Sequence, residues 1–468
     1  MPQGIITADF NGDGILNLAV ADQGTNAISI LLGNGDGTFT ATMQSTITAG
    51  LGANWLVAGD FNEDGNVDLA VANVSDSGTS GVSIFFGDGT GAFTLHASFP
   101  TGGLPFAVAT ADFNKDGHLD LAVSNSGDGT ITVLFGDGAG AFSPGETLTV
   151  GVLPQVVVVG DFNEDGNLDL AVANETDGAV SILFGDGLGG FSAQSVVSTG
   201  GSGNPIGLIA ADLEGNGHLD LAAVNGGDVA ILSNNPVGTF LLIRNPVTGS
   251  SDLIAGVAGD CNGDGKVDLV VSDRTAGEAF LILGDVTAAS PTIITFTTAP
   301  GSFGVATADF NGDGALDLAV ANGTANSISI FLQRLPVSLT PTSLAFGNQI
   351  VATTSAARTV TLTNNDGSPL NISSIAITGA DAGDFMVTGG TCAAGLPVAN
   401  SATCTITITF MPSVLGARTG TLTIIDDAGT SPQTLALTGT GVVNPPTISK
   451  AFGASTIPLN GTTSLTQT

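Results

Sequence analysis

The chain has 468 residues, enough for two domains, with 68 Gly, no Tyr, and only eight Lys and Arg against 42 Asp and Glu. A formal charge of −34 excludes nucleic acid and anionic membrane surfaces as partners, since both would repel it. No apolar run approaches the ~18 residues of a membrane helix, and the Gly-, Thr- and Val-rich composition favours strands joined by tight turns.

Met1-Pro2-Gln3-Gly4 runs straight into an apolar stretch, with no export signal before it, so the chain reads as a fragment of a protein whose signal lies upstream. That stretch ends in the first of seven related nine-residue loops, starting at Asp9, Asp60, Asp112, Asp161, Asp212, Asp260 and Asp309, 48 to 52 residues apart. A period of this size signals a repeat architecture. Loop positions 1, 3, 5 and 9 carry oxygen-bearing side chains, and position 6 is Gly. The sets are Asp9, Asn11, Asp13 and Asn17, then Asp60, Asn62, Asp64 and Asp68, then Asp112, Asn114, Asp116 and Asp120. They continue as Asp161, Asn163, Asp165 and Asp169, and as Asp212, Glu214, Asn216 and Asp220. The last two are Asp260, Asn262, Asp264 and Asp268, and Asp309, Asn311, Asp313 and Asp317.

This is the spacing by which a short loop wraps a hard cation, with the position-7 carbonyl adding one more oxygen. Position 7 is Ile15, Asn66, His118, Asn167, His218, Lys266 and Ala315. An all-oxygen set predicts Ca²⁺, up to seven ions, and disfavours softer metals. Three carboxylates within nine residues repel unless a cation joins them, whereas a solvated acidic turn is the plainer alternative. Asn17 at position 9, and Glu214 with Asn216 in the fifth loop, predict weaker sites in the first and fifth copies. Position 12, where an EF-hand needs Glu, is Val or Ala, and a β-rich run follows instead of a helix.

The third copy shows the element order. An apolar run, 106–111, enters the loop and 119–123 leaves it. A turn at 125–129 leads to a strand at 131–135, then Gly136-Asp137-Gly138-Ala139-Gly140-Ala141-Phe142, then a strand near 143–150. Four antiparallel strands per repeat are the content of one propeller blade. The glycine-rich motif recurs at 87–93 and 185–191, lacks the Lys and Ser/Thr of a phosphate cradle, and predicts a hairpin with a packed Phe.

With these two motifs, residues 1–335 resemble FG-GAP (VCBS-type) repeats, as in the integrin α-chain head. The resemblance implies structural Ca²⁺ on one face and partner binding on the other. The expected fold is all-β: a seven-bladed β-propeller plus a C-terminal Ig-like β-sandwich. The seventh repeat lacks a clear fourth strand, so closure is expected from Val337-Ser338-Leu339 or from chain upstream.

Beyond about residue 335, alternating runs such as Arg358-Thr359-Val360-Thr361-Leu362-Thr363 and Cys404-Thr405-Ile406-Thr407-Ile408-Thr409-Phe410 predict a sandwich over 336–442. Pro341-Thr342-Ser343-Leu344-Ala345-Phe346-Gly347 with Gly420-Thr421-Leu422-Thr423 resembles the Ig-like domain of abnormal-spindle/hydin proteins, also called choice-of-anchor D. Residues 443–468 read as the start of a further β module. Cys392 and Cys404 could form a disulfide suited to export, while Cys261, at loop position 2, reads as a small buried apolar residue.

Catalytic chemistry finds little support, since the chain has three His, no Tyr and no nucleophile elbow. His118 and His218 are expected to offer only their carbonyls, with side chains pointing outward. Trp55, Phe106 and Phe303 fall at the start of the first strand of their repeats, either packed between blades or facing a ligand. The expectation is an extracellular or cell-surface calcium-binding adhesion module with a protein or glycan ligand. The rival readings are a carbohydrate-active enzyme and a lectin on the same scaffold.

Overall fold

Strand two of each repeat explains why the repeats associate. In the third it is Asp120–Asn125, an Asp-Leu-Ala-Val-Ser-Asn run buried along its whole length. A strand with no polar face must be covered on both sides, so one sheet cannot bury it alone. In a computed structural model, Asp120–Asn125 pairs antiparallel with Pro105–Ala111 on one side and Thr130–Gly136 on the other. The strand Phe142–Thr149 completes the meander and is largely exposed, as an outermost strand should be. The structure describes residues 1–48, 52–74, 80–200, 204–235, 237–244, 246, 248–284, 291–333, 336–365, 368–428 and 431–444.

Contacts divide the chain into two units, Met1–Gln333 and Arg334–Thr468. Among the described residues, the first unit holds six four-stranded sheets of this order and one three-stranded sheet, Ser302–Ala308, Asp317–Asn322 and Ser327–Phe331. First strands lie beside first strands: Pro2–Ala8 neighbours both Ala53–Gly59 and Ser302–Ala308. The core therefore sits between sheets. Ala70 and Ile84 of the second repeat cluster with Val108, Leu121 and Leu134 of the third. Ile5, Leu18 and Val20 of the first cluster in the same way with Ala306, Ala319 and Ala321 of the seventh.

Among the described residues, the second unit contains two four-stranded sheets and a small two-stranded ladder. Alternate residues of Arg358–Asn364 and Thr403–Phe410 point inward and share one core with Leu422, Ile424, Leu435 and Leu437. Cys392 and Cys404 are joined by a disulfide, Cα–Cα 4.9 Å. The expectation that Val337-Ser338-Leu339 closes the seventh repeat is corrected here. Those residues pair with Asn364, Thr363 and Leu362 inside the second unit, where Val337 and Leu339 enter the core. The further β module expected over 443–468 falls, from residue 445 onward, outside the described residues.

Candidate functional site

Each loop is built by its own polar groups. In the third, Asp112 accepts N–H bonds from Asp116 (3.2 Å) and Gly117 (3.0 Å). Asp116 accepts from the His118 N–H at 2.9 Å and from the Asn114 amide at 3.0 Å, while the Asn114 oxygen accepts from the Asp116 N–H. Gly117, at φ +95°, takes the backbone through a region closed to most side chains. The structure thus gathers positions 1, 3 and 5 around one tight turn. Asp120, at position 9, lies beneath it with no exposed surface. Its two oxygens accept the N–H groups of Phe113 and Gly136, both at 2.9 Å, so it ties the loop to the end of strand three. Among the described residues, no three Asp, Glu, His or Cys groups converge on one point as a ready-made cage.

The position-9 carboxylates carry the electrostatic load. Burial, with added repulsion from nearby loop acids, pushes Asp68, Asp120, Asp169 and Asp317 up to about 6 against the backbone N–H bonds they accept. Asp220 and Asp268 shift the same way for the same first cause. The first loop differs. Asn17 accepts from the Phe10 N–H at 2.7 Å and donates its amide to the Ile15 carbonyl at 3.2 Å, so the position-7 oxygen is already engaged. In the fifth, Glu214 accepts from Ser233 at 2.6 Å and from Asn216 at 3.2 Å.

The side chains at position 7 do more than point outward. His118 pairs with Glu63 of the preceding loop, and His218 pairs with Glu164. Lys115 donates to Asn167 of the next loop at 2.7 Å. Position 4 thus reaches position 7 of the following repeat across the second to fifth loops. Glu63, Lys115 and Glu164 hold φ of +56°, +59° and +56°, whereas Gly occupies position 4 elsewhere. A left-handed side chain costs about 1–2 kcal/mol, a strain that glycine avoids in the other loops. His96, on the outermost strand of the second repeat, stacks on Phe86 with ring centroids 4.2 Å apart.

The second motif is a hairpin. Asp137 accepts the N–H groups of Ala139 and Ala141, and the motif's Phe, paired in its own sheet, turns its ring toward the preceding repeat. Phe93, Phe142, Phe191 and Phe240 each meet, edge to face at 5.5–5.8 Å, the position-2 Phe of the preceding loop: Phe10, Phe61, Phe113 and Phe162. Phe39 of the first repeat meets Phe310 of the seventh at 5.4 Å. Cys261 is a free thiol and only half-buried, a correction to the expectation of full burial; desolvation and two neighbouring Asp push it up to about 12.

At the opposite end of strand two, sequence reading missed a second set. Asp22, Asn73, Asn125, Asn174, Asn225, Asp273 and Asn322 stand thirteen residues after each loop start, all buried. Asn125 accepts the Gly102 N–H at 2.9 Å and Asn174 the Gly151 N–H at 3.0 Å, anchoring the connection from the preceding repeat. The fixed Asn/Asp at that offset was the available signal. Of the three aromatics, Phe106 packs against the core between the fourth and fifth repeats, Phe303 lies 5.7 Å beneath the Arg274 guanidinium, and Trp55 is part-buried.

Solved structures with this arrangement identify the class. The crystal structure of BBS1N in complex with ARL6DN is 17% identical, covers 70% of this chain and 92% of its own, and has a TM-score of 0.50. A protein from Bacteroides uniformis named as a candidate 6-phosphogluconolactonase is 16% identical over 71% and 92%, with a TM-score of 0.50. The first unit is thereby a β-propeller. FG-GAP-like repeats match at 9–71, 60–123, 112–172, 161–223, 212–271 and 260–320, each match running from one loop through the next. The chain belongs to the FG-GAP-like repeat family. No curated protein sequence matches it.

Proposed function

We propose that this chain is an exported, calcium-loaded binding module in which seven blades close into a ring, followed by an Ig-like sandwich of choice-of-anchor D type. The ring reading is supported by the Phe39–Phe310 pair, which repeats the pair at four other seams, and by the shared core of the first and seventh repeats, which matches the cores between the other neighbouring repeats. The cation reading rests on one contrast. At position 9 of the first loop, Asn17 donates a hydrogen bond to the position-7 carbonyl. In the other six loops that position is a buried Asp, which as a carboxylate donates nothing and shares its loop with at least two other acids. Oxygens of positions 1, 3, 5 and 9, with the position-7 carbonyl, form a donor set suited to Ca²⁺, which supplies the positive charge the cluster lacks.

The binding role draws on a second feature. The space beside the first strands is lined by Ile5, Val158, Leu208 and Val257, side chains that pack and perform no acid–base chemistry. The BBS1N structure holds a protein partner, and by analogy the face opposite the loops would take an extracellular protein or glycan. Calorimetric titration of metal-stripped protein should give five or six Ca²⁺ sites with the first loop silent; no heat at millimolar Ca²⁺ would overturn the cation reading. A glycan and matrix-protein array, run with and without Ca²⁺, tests the ligand class separately.

A further inference from the structure

The links between loops form a run with definite ends. Glu63 reaches His118, Lys115 reaches Asn167 and Glu164 reaches His218, so the second to fifth loops are joined in series. Position 4 is Gly12, Gly215, Gly263 and Gly312 in the first, fifth, sixth and seventh loops, with no side chain to send across.

Each link joins residues that border the donor set. Glu63, Lys115 and Glu164 stand between positions 3 and 5 of their own loops. The residue they reach gives its N–H to position 5 of the next loop: His118 to Asp116 at 2.9 Å, Asn167 to Asp165 at 2.8 Å and His218 to Asn216 at 2.8 Å. Its carbonyl is the position-7 oxygen. Two of the links are also enclosed. A Cβ on Gly138 would strike the His118 ring and the Glu63 carboxylate, and one on Gly187 would strike the Asn167 amide and lie 3.3 Å from the Lys115 Cε. The glycine-rich hairpin of the receiving repeat therefore packs over the link.

On the cation reading of the loops, we propose that these three links couple the second to fifth sites into one cooperative set, in which filling one loop raises the affinity of the loop it touches. Glu63, Lys115 and Glu164 hold a left-handed backbone that Gly adopts freely, so the shape of their loops depends on where their side chains rest. When the third loop is filled, the His118 carbonyl is held in place, and with it the ring that Glu63 grips. Position 4 of the second loop is then set before that loop is filled. The coupling is reciprocal, so a filled second loop favours the third equally. Repulsion between neighbouring cations alone would act in the opposite direction. The fifth loop, depleted by Glu214 and Asn216, gains from its link to a complete fourth. The sixth and seventh loops bind singly.

The chain has three His, two of them at the links, and their ring signals resolve the coupling. NMR titration of the full chain with Ca²⁺ at constant pH reads the third loop through His118. It reads the fold of the second repeat through His96, which stacks on Phe86. Asp60→Ala, at position 1 of the second loop, should raise the Ca²⁺ concentration at the His118 midpoint by about threefold. In a Glu63→Gly background the same substitution should leave that midpoint in place. If Glu63 merely shaped its own loop, the Asp60→Ala effect would be the same in both backgrounds. Asn62→Ala takes the place of Asp60→Ala if the His96 signal shows the latter to misfold. An equal shift in both backgrounds, no shift in either, or a shift to lower Ca²⁺ would overturn the coupling and leave the sites themselves standing. No His118 response at millimolar Ca²⁺, with no heat in the calorimetric titration, would overturn the cation reading and the coupling together.

Discussion

At the scale of single residues, position 9 decides how each loop manages its charge. Asn17 and Asp68 sit at the same place and both accept the N–H of the position-2 Phe, at 2.7 and 3.0 Å. Only Asn17 also donates, to the position-7 carbonyl. Asp68→Asn should therefore raise the melting temperature of the metal-free protein by about 1–2 °C and remove one Ca²⁺ site from the titration. Unchanged stoichiometry would show that Asp68 is no ligand. The pH dependence follows from the same groups. Asp68, Asp120, Asp169 and Asp317 titrate near 6 in the folded chain, against 3.8 in the unfolded one. Between those values the folded state holds the extra protons, so metal-free stability from these groups falls as pH rises toward 6 and then levels off. On the proposed cation reading, a bound cation replaces the proton. The gain in melting temperature from 1 mM Ca²⁺ should accordingly be larger at pH 7 than at pH 5; equal gains would separate these carboxylates from the metal.

At the scale of elements, the Phe pair adds an aromatic contact to the shared core between five pairs of repeats. Phe113 and Phe310 are both almost fully buried, and each meets a hairpin Phe of another repeat. Phe113→Ala should cost about 3–5 kcal/mol in the first unit, by lost burial and the cavity left behind. If the ring is closed, Phe310→Ala should cost a similar amount, measured by denaturant unfolding; a loss under half as large would mean an open seam. Much of this was legible without coordinates. The strands and both motifs lie where the sequence put them, because period-two patterning and glycine-bearing turns act locally. The pairing between repeats was legible too, though unread. Leu213 and Cys261 replace Phe at position 2 of the fifth and sixth loops, and the sequences of the sixth and seventh repeats carry no Gly-Asp-Gly-x-Gly-x-Phe motif that would need a Phe there. Phe310 remains because its partner, Phe39, lies at the other end of the repeat array. The Glu63–His118 link was harder to see, since a left-handed Glu beside a loop gives no periodic signal.

At the scale of the molecule, the acidity is concentrated. Twenty of the 42 acids stand at the loop positions, all within the first unit. The second unit carries no such loop and holds itself together by a shared apolar core and the Cys392–Cys404 bond. Cation dependence should therefore divide along the same line. Extracellular Ca²⁺ modules bind at about 10⁻⁴–10⁻³ M, so at ~1 mM Ca²⁺ and a Kd near 0.1 mM each site adds about 1.4 kcal/mol. The five loops with complete Asp and Asn sets would then contribute up to about 7 kcal/mol, a large share of an ordinary domain's stability. Chelation should lower the melting transition of the first unit by about 10 °C or more while leaving that of the second in place. Scanning calorimetry of the full chain reads both transitions at once. Reducing agent should do the reverse, lowering the second by removing a cross-link and sparing the first, whose thiol at Cys261 is already free. If EDTA moved both transitions equally, or neither, the loops would be ordinary acidic turns and the six buried carboxylates would need another source of positive charge.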